Sequence, residues 1–335
     1  MTERTLTNRL RRRAGVLRRR QGGFTLLELL VVVAILAAVA GTATIALQDT
    51  DARAAAAAHV AMMDELNKGI RTFRVLNNNA YPDNFDSLLQ WDGTAANLAA
   101  LSNFAVDAAD FEIVDPPETA GGWGQLLAER LGEIGLTNVR IVNTTLDPAG
   151  DQNCTNLQNL INSRGNAVVA GNIYLSPVAN GCGEDLALVE TNDNGTPTDT
   201  SDDFDSISAN ARLVLWTGGT ERITGQPVAA DYDGTALGGT GVTTGTPLFM
   251  MVGIGPSSTL FDVRTIGGMT TVPVYRHVGD DEYNRFLALF HVANTTATAG
   301  APAVVDQVLL QTIIDGAGDT KEEELGEWDG TRNTI

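Results

Sequence analysis

The sequence predicts an α+β protein, in which a long N-terminal helix packs on a head that combines an antiparallel β-sheet with short helices. Three observations predict this fold. Residues 24–47 form an apolar run, residues 48–77 continue as an amphipathic helix, and beyond residue 165 short apolar segments alternate with turn residues. The head, residues 78–335, is long enough to bury a core of its own.

The apolar run follows a basic leader, residues 1–23, which holds eight arginines and one glutamate. From Phe24 to Leu47 the only charged residue is Glu28, and the run exceeds the roughly 20 apolar residues that span the hydrocarbon core of a bilayer. Positive charge before the run and an acidic chain after it predict a single-pass membrane helix with a cytoplasmic N-terminus. The head is then expected on the far side of the membrane.

The junction between leader and apolar run predicts a processing site. An ordinary secretory signal is cleaved after its apolar region, whereas the small residues Gly22 and Gly23 precede it here. Cleavage after Gly23 would leave Phe24 as the first residue of a retained anchor. Glu28 would then be a carboxylate inside a membrane helix, which costs about 2.5–3.5 kcal/mol and marks a partner. The new amine of Phe24 supplies the cation, and pairing between chains would set the register of helices in a polymer.

Gly23 followed by Phe24-Thr25-Leu26-Leu27-Glu28-Leu29-Leu30 resembles the type III signal of bacterial type IV prepilins and of the pseudopilins of type II secretion systems. The resemblance implies that a prepilin peptidase cleaves after Gly23, that Phe24 is N-methylated and that Glu28 guides assembly. It also implies a pilin-like stem helix that contacts like or related pilin subunits, and an inner-membrane assembly platform as a partner. The implied location is the inner membrane, with a periplasmic head, and then a pilus or pseudopilus filament.

The sequence departs from that family in two respects. Many type IV pilins have a proline in the middle of the first helix, whereas no proline lies between Phe24 and Asn79 here. Local melting of the helix would therefore rely on Gly41, Thr42 and Thr44. Removal of the leader would leave 312 residues, which is long for a major pilin.

The net charge excludes one class of partner. Of the 22 basic and 41 acidic residues, eight and one lie in the leader, which leaves 14 basic and 40 acidic residues and a net charge of −26. Such a surface repels DNA, RNA and anionic lipid headgroups. Nucleic acid is therefore not expected as a partner.

Residues 48–77 are predicted to continue the helix with one apolar face against the head, because apolar residues recur at spacings of three or four. His59 is expected to be exposed on this helix, which should end at residues 77–79. The apolar positions are Val60, Met63, Leu66, Ile70 and Phe73, and the charged positions are Asp64, Glu65, Lys68 and Arg71.

Within residues 84–165 the pattern favours short helices. Residues 122–136 carry apolar side chains on a helical repeat, and residues 94–101 and 156–162 are shorter candidates. One elaborated head domain and a sheet domain with a helical insertion at about 84–165 remain alternatives.

Beyond residue 165, short segments rich in Val, Ile, Leu and aromatic residues and bounded by Gly, Pro, Asn and Asp predict strands. The last two are joined by residues 279–282, which predict a hairpin connection. Residues 304–314 are ambiguous between helix and strand. The predicted strands are residues 167–175, 211–217, 247–254, 272–278 and 285–292.

Cys154 and Cys182 are the only cysteines, and both lie in the part of the chain predicted to cross the membrane. In an oxidising compartment the pair is expected to close into a disulfide, which stabilises a loop of this length by about 3–4 kcal/mol. A metal pair and a redox couple are the alternatives, and both are disfavoured because no Cys-x-x-Cys is present.

Residues 190–205 hold a dense set of aspartates amid Asn, Ser and Thr, and oxygen ligands of that density suit Ca²⁺. Major pseudopilins resemble this stretch in holding calcium in a head loop. A solvated loop is the favoured alternative, because the stretch lacks the order of carboxylates of an EF-hand. The candidate calcium ligands are Asp193, Asp199, Asp202, Asp203 and Asp205.

Motifs typical of catalysis are absent from the sequence, which has no His-Glu-x-x-His, no Gly-x-Ser-x-Gly and no Gly-Lys-Ser/Thr phosphate loop. An enzyme is therefore not expected, and calcium is the one cofactor considered. The sequence favours a structural filament subunit. A minor or tip subunit whose head binds a substrate or surface, and a membrane-anchored enzyme, are the alternatives.

Overall fold

The computed structural model describes residues 25–92, 99–101, 104–146, 182–195, 197–198, 200–208, 211–224, 244–275, 278, 282–298 and 300–329. The chain divides into two compact units, residues 1–53 and 54–335, and the boundary falls within the first helix. The predicted α+β class is confirmed in outline, with an N-terminal apolar helix and a head rich in sheet.

Helix α1 comprises Leu26–Leu76. Its side chains from Leu26 to Thr44 are largely apolar and exposed, and the part of the helix from residue 54 onward is amphipathic. In the second unit the side chains of Met63, Leu66, Ile70 and Phe73 are buried in the head core. The four predicted charged positions on this part of the helix are exposed. The prediction of an amphipathic helix is therefore confirmed, because the stripe of apolar residues is the face that packs on the sheet.

The end of α1 is set by asparagines. Asn78 and Asn79 adopt φ of 53° and 68°, a left-handed conformation that asparagine tolerates better than most residues. Asp83 then fixes the irregular segment that follows. Its carboxylate accepts hydrogen bonds from the backbone N–H groups of Thr137 and Asn138 at 3.0 and 2.9 Å, and from both side chains.

In the described part of the chain, nine strands form one sheet with the central order β11-β10-β9-β1-β4-β5. β2 pairs with β1, and β8 joins β3 to β9. A separate two-stranded sheet consists of β6 (Val189–Asn192) and β7 (Phe204–Ile207). The strands of the large sheet are β1 (Phe85–Trp91), β2 (Ala99–Ala100), β3 (Phe111–Val114), β4 (Asn138–Asn143), β5 (Gly183–Ala187), β8 (Leu213–Trp216), β9 (Pro247–Gly253), β10 (Leu287–Asn294) and β11 (Ala303–Ile314).

The sheet is mixed, which corrects the prediction of a purely antiparallel one. β1 and β4 run parallel, and the other pairings are antiparallel. Helix α2 (Trp123–Glu133) lies in the connection between β1 and β4, as a parallel pair requires a crossover. This helix confirms the prediction for residues 122–136.

The helical interpretation of residues 84–165 is otherwise wrong for the residues described. β1 to β4 lie in this range and belong to the sheet, so it is not a helical insertion. Residues 99–100, predicted to be helical, form β2. β1 and β4 are buried on both faces over most of their length, so they lack alternation. Buried polar residues, Asp86 and Ser87 in β1 and Arg140 in β4, also interrupt the apolar run that would otherwise identify a strand. The helix predicted at residues 156–162 and the strand predicted at 167–175 lie outside the described residues.

Residues 271–275 are irregular, so the strand predicted at 272–278 and its hairpin to residues 285–292 are wrong. Pro273 has no N–H for a strand ladder. Two hydrogen bonds hold the segment instead. The carbonyl oxygen of Pro273 accepts from Arg285 Nη1 at 3.1 Å, and the backbone N–H of Tyr275 donates to the carbonyl oxygen of Asn284 at 2.9 Å. β10 pairs with β9 and β11, which makes residues 304–314 a strand.

The central strands β9 and β10 place alternate side chains in two apolar cores. One core contains the buried stripe of α1, and the second lies on the opposite face of the sheet. Burial on both faces explains why these strands are continuous apolar runs. The first core contains Met250, Val252, Ala288 and Phe290, and the second contains Phe249, Met251, Leu287 and Leu289.

Three short helical elements complete the described head. They are helix α3 (Thr220–Thr224), a 3₁₀ turn (Thr259–Phe261) and the C-terminal helix α4 (Lys321–Asp329). α4 was not expected from the sequence, because it has three consecutive glutamates in its first turn and little apolar periodicity.

Candidate functional site

The N-terminus of helix α1 is closed by a capping box between Thr25 and Glu28. The backbone N–H and the hydroxyl of Thr25 donate to Glu28 Oε2 at 2.9 and 3.1 Å, and the Glu28 N–H donates to Thr25 Oγ1 at 3.2 Å. A carboxylate in the first turn also interacts favourably with the positive end of the helix dipole. In a single chain, therefore, the Glu28 carboxylate already has local donors.

This local arrangement was missed in the sequence, although the Thr-x-x-Glu spacing is its signal. Gly22, Gly23 and Phe24, the predicted cleavage and methylation residues, lie outside the described residues. After cleavage at Gly23, the free amine of Phe24 would lie one residue before Thr25. The N–H and hydroxyl of Thr25 are the donors that bind Glu28 in this structure.

The helix that follows is long and apolar enough to cross a membrane. The span is Leu26–Thr44, 19 residues with a mean hydropathy of 2.5. Its two hydroxyl side chains bond to the helix itself, since Thr42 donates to the carbonyl of Val39 at 3.0 Å and Thr44 to that of Ala40 at 2.8 Å. Such back-bonding lowers the cost of placing a hydroxyl in hydrocarbon.

The segment expected to melt locally is helical in this structure. Gly41, Thr42 and Thr44 all lie within α1, and a side chain at Gly41 would meet no atom within 4 Å. Gly41 therefore faces open space on the helix surface. Local melting of the helix during assembly stays a prediction.

A family model for the prokaryotic N-terminal methylation motif matches residues 18–44. The match covers the end of the leader, the predicted cleavage site and the membrane-spanning segment, and it confirms the resemblance to a prepilin or pseudopilin signal. The chain is thus a protein with a type IV prepilin-like N-terminal signal, and its apolar helix fits the inner-membrane anchor of such a precursor. No curated protein and no solved structure is significantly similar to the chain.

In the head, helix α4 is bonded to two other parts of the fold. It begins with a second capping box, in which Thr320 Oγ1 donates to Glu323 Oε2 at 2.8 Å. Arg222 of α3 makes a two-point contact with the same glutamate, at 2.9 Å for each bond. Lys321 Nζ lies 2.6 and 2.7 Å from the carboxylate oxygens of Asp64 on α1. These contacts bring the C-terminal segment onto the second part of α1.

A buried polar cluster lies beside these contacts. His59 Nδ1 of α1 is 3.5 Å from Glu324 Oε1 of α4, and both side chains are almost fully buried. His59 also lies against Tyr275, with 4.6 Å between ring centroids. The expectation that His59 is exposed is therefore wrong, because it lies on the same face as the apolar stripe.

Asp315, at the end of β11, completes this cluster. Its carboxylate accepts from the backbone N–H groups of Ala317 and Asp319 at 2.9 and 2.8 Å. Burial raises its pKa to about 7, and a hydrogen bond with Glu324 adds to the effect. Two carboxyl groups can share a hydrogen bond only when one holds a proton, so the contact with Glu324 favours the protonated form of Asp315.

A second buried carboxyl group lies in β1. The Tyr283 hydroxyl donates to Asp86 Oδ2 at 2.6 Å, and a side chain at Gly255 would overlap the same carboxylate. Burial raises the pKa of Asp86 to about 7, against the opposing effects of the Tyr283 hydrogen bond and the charges of Arg285 and Arg140. Asp86 is fully buried, and its hydrogen bond joins β1 to Tyr283, which lies just before β10.

Two sequence candidates remain, the acidic stretch of residues 190–205, which contains β6 and β7, and the pair Cys154 and Cys182. Among the described residues, no group of three His, Cys, Asp or Glu side chains is arranged to hold a metal ion. Carboxylates of the stretch take part in local bonds: Asp193 accepts from the Gly195 N–H, and Asp202 from the Asn194 side chain. Asp199 lies outside the described residues. So does Cys154, and its predicted disulfide with the buried Cys182 stays a prediction.

Proposed function

We propose that this chain is a structural subunit of a filament of the type IV pilus or type II secretion pseudopilus kind. The observation that carries the proposal is the methylation motif at residues 18–44 together with the apolar helix Leu26–Thr44 that it introduces. Before assembly the subunit is held in the inner membrane by this helix. Its N-terminus is cytoplasmic and its head periplasmic, because arginines precede the span and an acidic chain follows it.

Processing makes the anchor the start of the mature chain. A prepilin peptidase on the cytoplasmic side cleaves after Gly23, and Phe24 is then N-methylated. This cut removes eight arginines but no part of the apolar helix. The mature subunit therefore carries a new amine at the membrane surface, four positions before Glu28.

Assembly exchanges one apolar environment for another. The helix leaves lipid and packs against the helices of other subunits, so the polarity of the environment around its apolar side chains changes little. The directional contribution comes from Glu28, whose carboxylate passes from Thr25 of its own chain to the Phe24 amine of a neighbour. A charge-assisted hydrogen bond of this kind fixes the axial register of the two helices.

Substitution at the cleavage site tests the proposal. Gly23→Leu is expected to block processing, because a branched side chain replaces the small residue before the cut, and the uncleaved precursor should accumulate in membranes. Gly41→Leu is the matched control, since a side chain there meets no atom within 4 Å. The control should be processed normally. A mature chain that begins at Phe24 in the Gly23→Leu variant would show that the processing proposal is wrong.

A further inference from the structure

Helix α4 is held on α1 by a contact between two buried polar side chains. His59 Nδ1 of α1 lies 3.5 Å from Glu324 Oε1 of α4, and the side chains are 3% and 1% exposed. A buried carboxylate has lost its hydration, and a cation beside it offsets that cost. The imidazole ring is a cation only while both of its nitrogens hold a proton. The strength of the contact between α1 and α4 therefore depends on the protonation of His59.

A second carboxyl group faces the same glutamate. Asp315 is fully buried at the end of β11, where its carboxylate accepts from the backbone N–H groups of Ala317 and Asp319 in the turn that leads to α4. It also shares a hydrogen bond with Glu324. Two buried carboxyl groups in contact repel each other when both are ionised, so the contact favours a proton on one of them. The junction between β11 and α4 thus depends on a second proton.

Two aromatic rings enclose these groups. The Tyr275 ring lies 4.6 Å from the His59 imidazole and the Phe286 ring 6.4 Å, measured between centroids. Tyr275 forms a hydrogen bond with Asp315, and burial raises the pKa of Tyr275 far above its usual value, so its hydroxyl stays neutral. The rings bring no charge and limit the access of water. A charge that is gained or lost here is therefore poorly screened by solvent.

The other charged groups around α4 do not supply a cation to this cluster. Three ion pairs surround it, and their side chains are partly exposed: Lys321 with Asp64, Arg222 with Glu323 and Arg222 with Asp319. Glu322 is exposed, and Arg285, which precedes Phe286, donates to a backbone carbonyl oxygen at 3.1 Å. Within the cluster, a charged imidazole balances one carboxylate. The other carboxyl group is neutral only while it holds a proton.

We propose that α4 is a proton-dependent latch, which stays docked on α1 while the cluster of His59, Asp315 and Glu324 holds these two protons and is released when it loses them. Loss of both protons would leave two negative charges in a buried site without a cation. In released α4 the same carboxylates are hydrated and need no proton. A rise in pH should therefore free the C-terminal segment from α1. The inference does not depend on the proposed filament function.

The burial of Asp315 sets the direction and range of the effect. Burial raises the pKa of Asp315 to about 7, compared with about 4 in water. Between these values the docked form binds about one proton more than the released form. The equilibrium constant for release should therefore rise about tenfold per pH unit from about pH 5 to pH 7, and it should level off above that range.

Hydrogen exchange of the full-length protein in detergent, followed by mass spectrometry, measures this release. Rates for the backbone amides of α4 are determined at pH 5, 6 and 7 and corrected for the intrinsic effect of pH on exchange. The protection of α4 in the wild-type protein should fall about tenfold per pH unit. Protection of α4 that is independent of pH in the wild-type protein would overturn the proposal without any variant.

A pair of matched substitutions locates the proton. Asp315→Asn keeps the shape of the protonated acid but cannot lose a proton, so the protection of α4 should become nearly independent of pH. Asp86→Asn makes the same change in the other buried carboxyl group, which lies in β1 and is bonded to Tyr283. This control should retain the wild-type decrease in α4 protection. A full wild-type decrease in Asp315→Asn would contradict the latch.

A second pair of substitutions tests the cation. His59→Gln removes the charge beside Glu324, so the protection of α4 should already be at least tenfold lower at pH 5. His291→Gln is the matched control, because His291 is a half-buried residue of β10 whose Nε2 lies 3.0 Å from Asn294 Oδ1. Equal protection of α4 in these two variants at pH 5 would show that His59 does not hold the latch closed.

Discussion

At the scale of single residues, the proposed function gives Glu28 two sets of partners that compete. In one chain it caps its own helix through Thr25, with donors at 2.9 and 3.1 Å. In the proposed filament it meets an amine of another chain. The number of hydrogen bonds changes little in this exchange, so assembly gains mainly from placing a full positive charge beside the carboxylate in a medium of low dielectric constant.

Glu28→Ala is therefore expected to be cleaved and inserted but to enter filaments poorly. Loss of a hydrogen bond between charged groups costs roughly 1.5–3 kcal/mol, which corresponds to a tenfold or larger decrease in incorporation. The measurement compares subunit in sheared filaments with subunit in membranes. Glu65→Ala, which removes an exposed carboxylate of the same helix outside the apolar span, is the control. Wild-type filament yield from Glu28→Ala would remove the assembly role.

The buried carboxyl groups give the head an unusual pH dependence. Burial raises the pKa of both Asp86 and Asp315 to about 7. The folded state then holds protons that the unfolded state releases between about pH 4 and pH 7. The free energy of unfolding should therefore fall as the pH rises through this range, opposite to the usual behaviour of a paired carboxylate.

Asp86→Asn should weaken this pH dependence, since the amide keeps the shape of the protonated acid but cannot lose a proton. Between about pH 4.5 and 7.5 the decrease in the free energy of unfolding should be smaller than in wild type by about 3 kcal/mol. Urea titrations of the full-length chain in detergent, followed by tryptophan fluorescence, measure it. An unchanged pH dependence in Asp86→Asn would show that Asp86 does not hold the proton.

At the scale of elements, α4 joins the C-terminal segment to α1. The ion pair of Lys321 with Asp64 is largely exposed and contributes little. The contact between His59 and Glu324 is buried, so loss of one partner leaves the other without its counterpart. The buried contact is thus expected to decide whether α4 stays docked.

Glu324→Ala should lower the free energy of unfolding by roughly 2–4 kcal/mol, because it removes a buried partner of both His59 and Asp315. Glu322→Ala is the matched control, since Glu322 lies in the same turn of α4 and is exposed. Its effect should stay within about 0.5 kcal/mol. Equal stabilities of the two variants in urea titrations would contradict the role given to α4.

The elements that the sequence predicted correctly share one property: the spacing of their apolar residues is typical of a single kind of secondary structure. The stripe on α1 has helical spacing, and β9 and β10 are short apolar runs between turn residues. His59 lies four positions before Met63 and seven before Leu66, which is the spacing of residues on one helix face. Its burial could therefore have been predicted from the sequence. β1 and β4 were missed because the buried polar residues Asp86, Ser87 and Arg140 interrupt their apolar runs. The acidic α4 was missed because its packing depends on partners far along the chain.

The functional residues also fall into two groups, those that the sequence predicted and those that it did not. Gly23, Phe24 and Glu28 form a local motif, so the sequence alone predicted it and the family match supports it. Asp86 and its partner Tyr283 are 197 positions apart, and no local signal connects them. A carboxyl group whose pKa depends on tertiary packing becomes visible only when the fold is known.

At the scale of the whole molecule, an apolar anchor and a strongly acidic head impose different requirements. In the proposed filament the helices of many copies pack together, while heads with an excess of carboxylates repel each other. The proposed filament role depends on the anchor being retained after processing, since that step would create the amine that is proposed to bind Glu28.

Mass spectrometry of the N-terminal peptide of the native protein, purified from membranes and filaments, tests this claim most directly. The account predicts a mature chain that begins at Phe24, carries one methyl group on its amine and retains the entire apolar helix. A native chain that begins at any other residue, whether it keeps the arginine-rich leader or has lost the apolar helix, would contradict it.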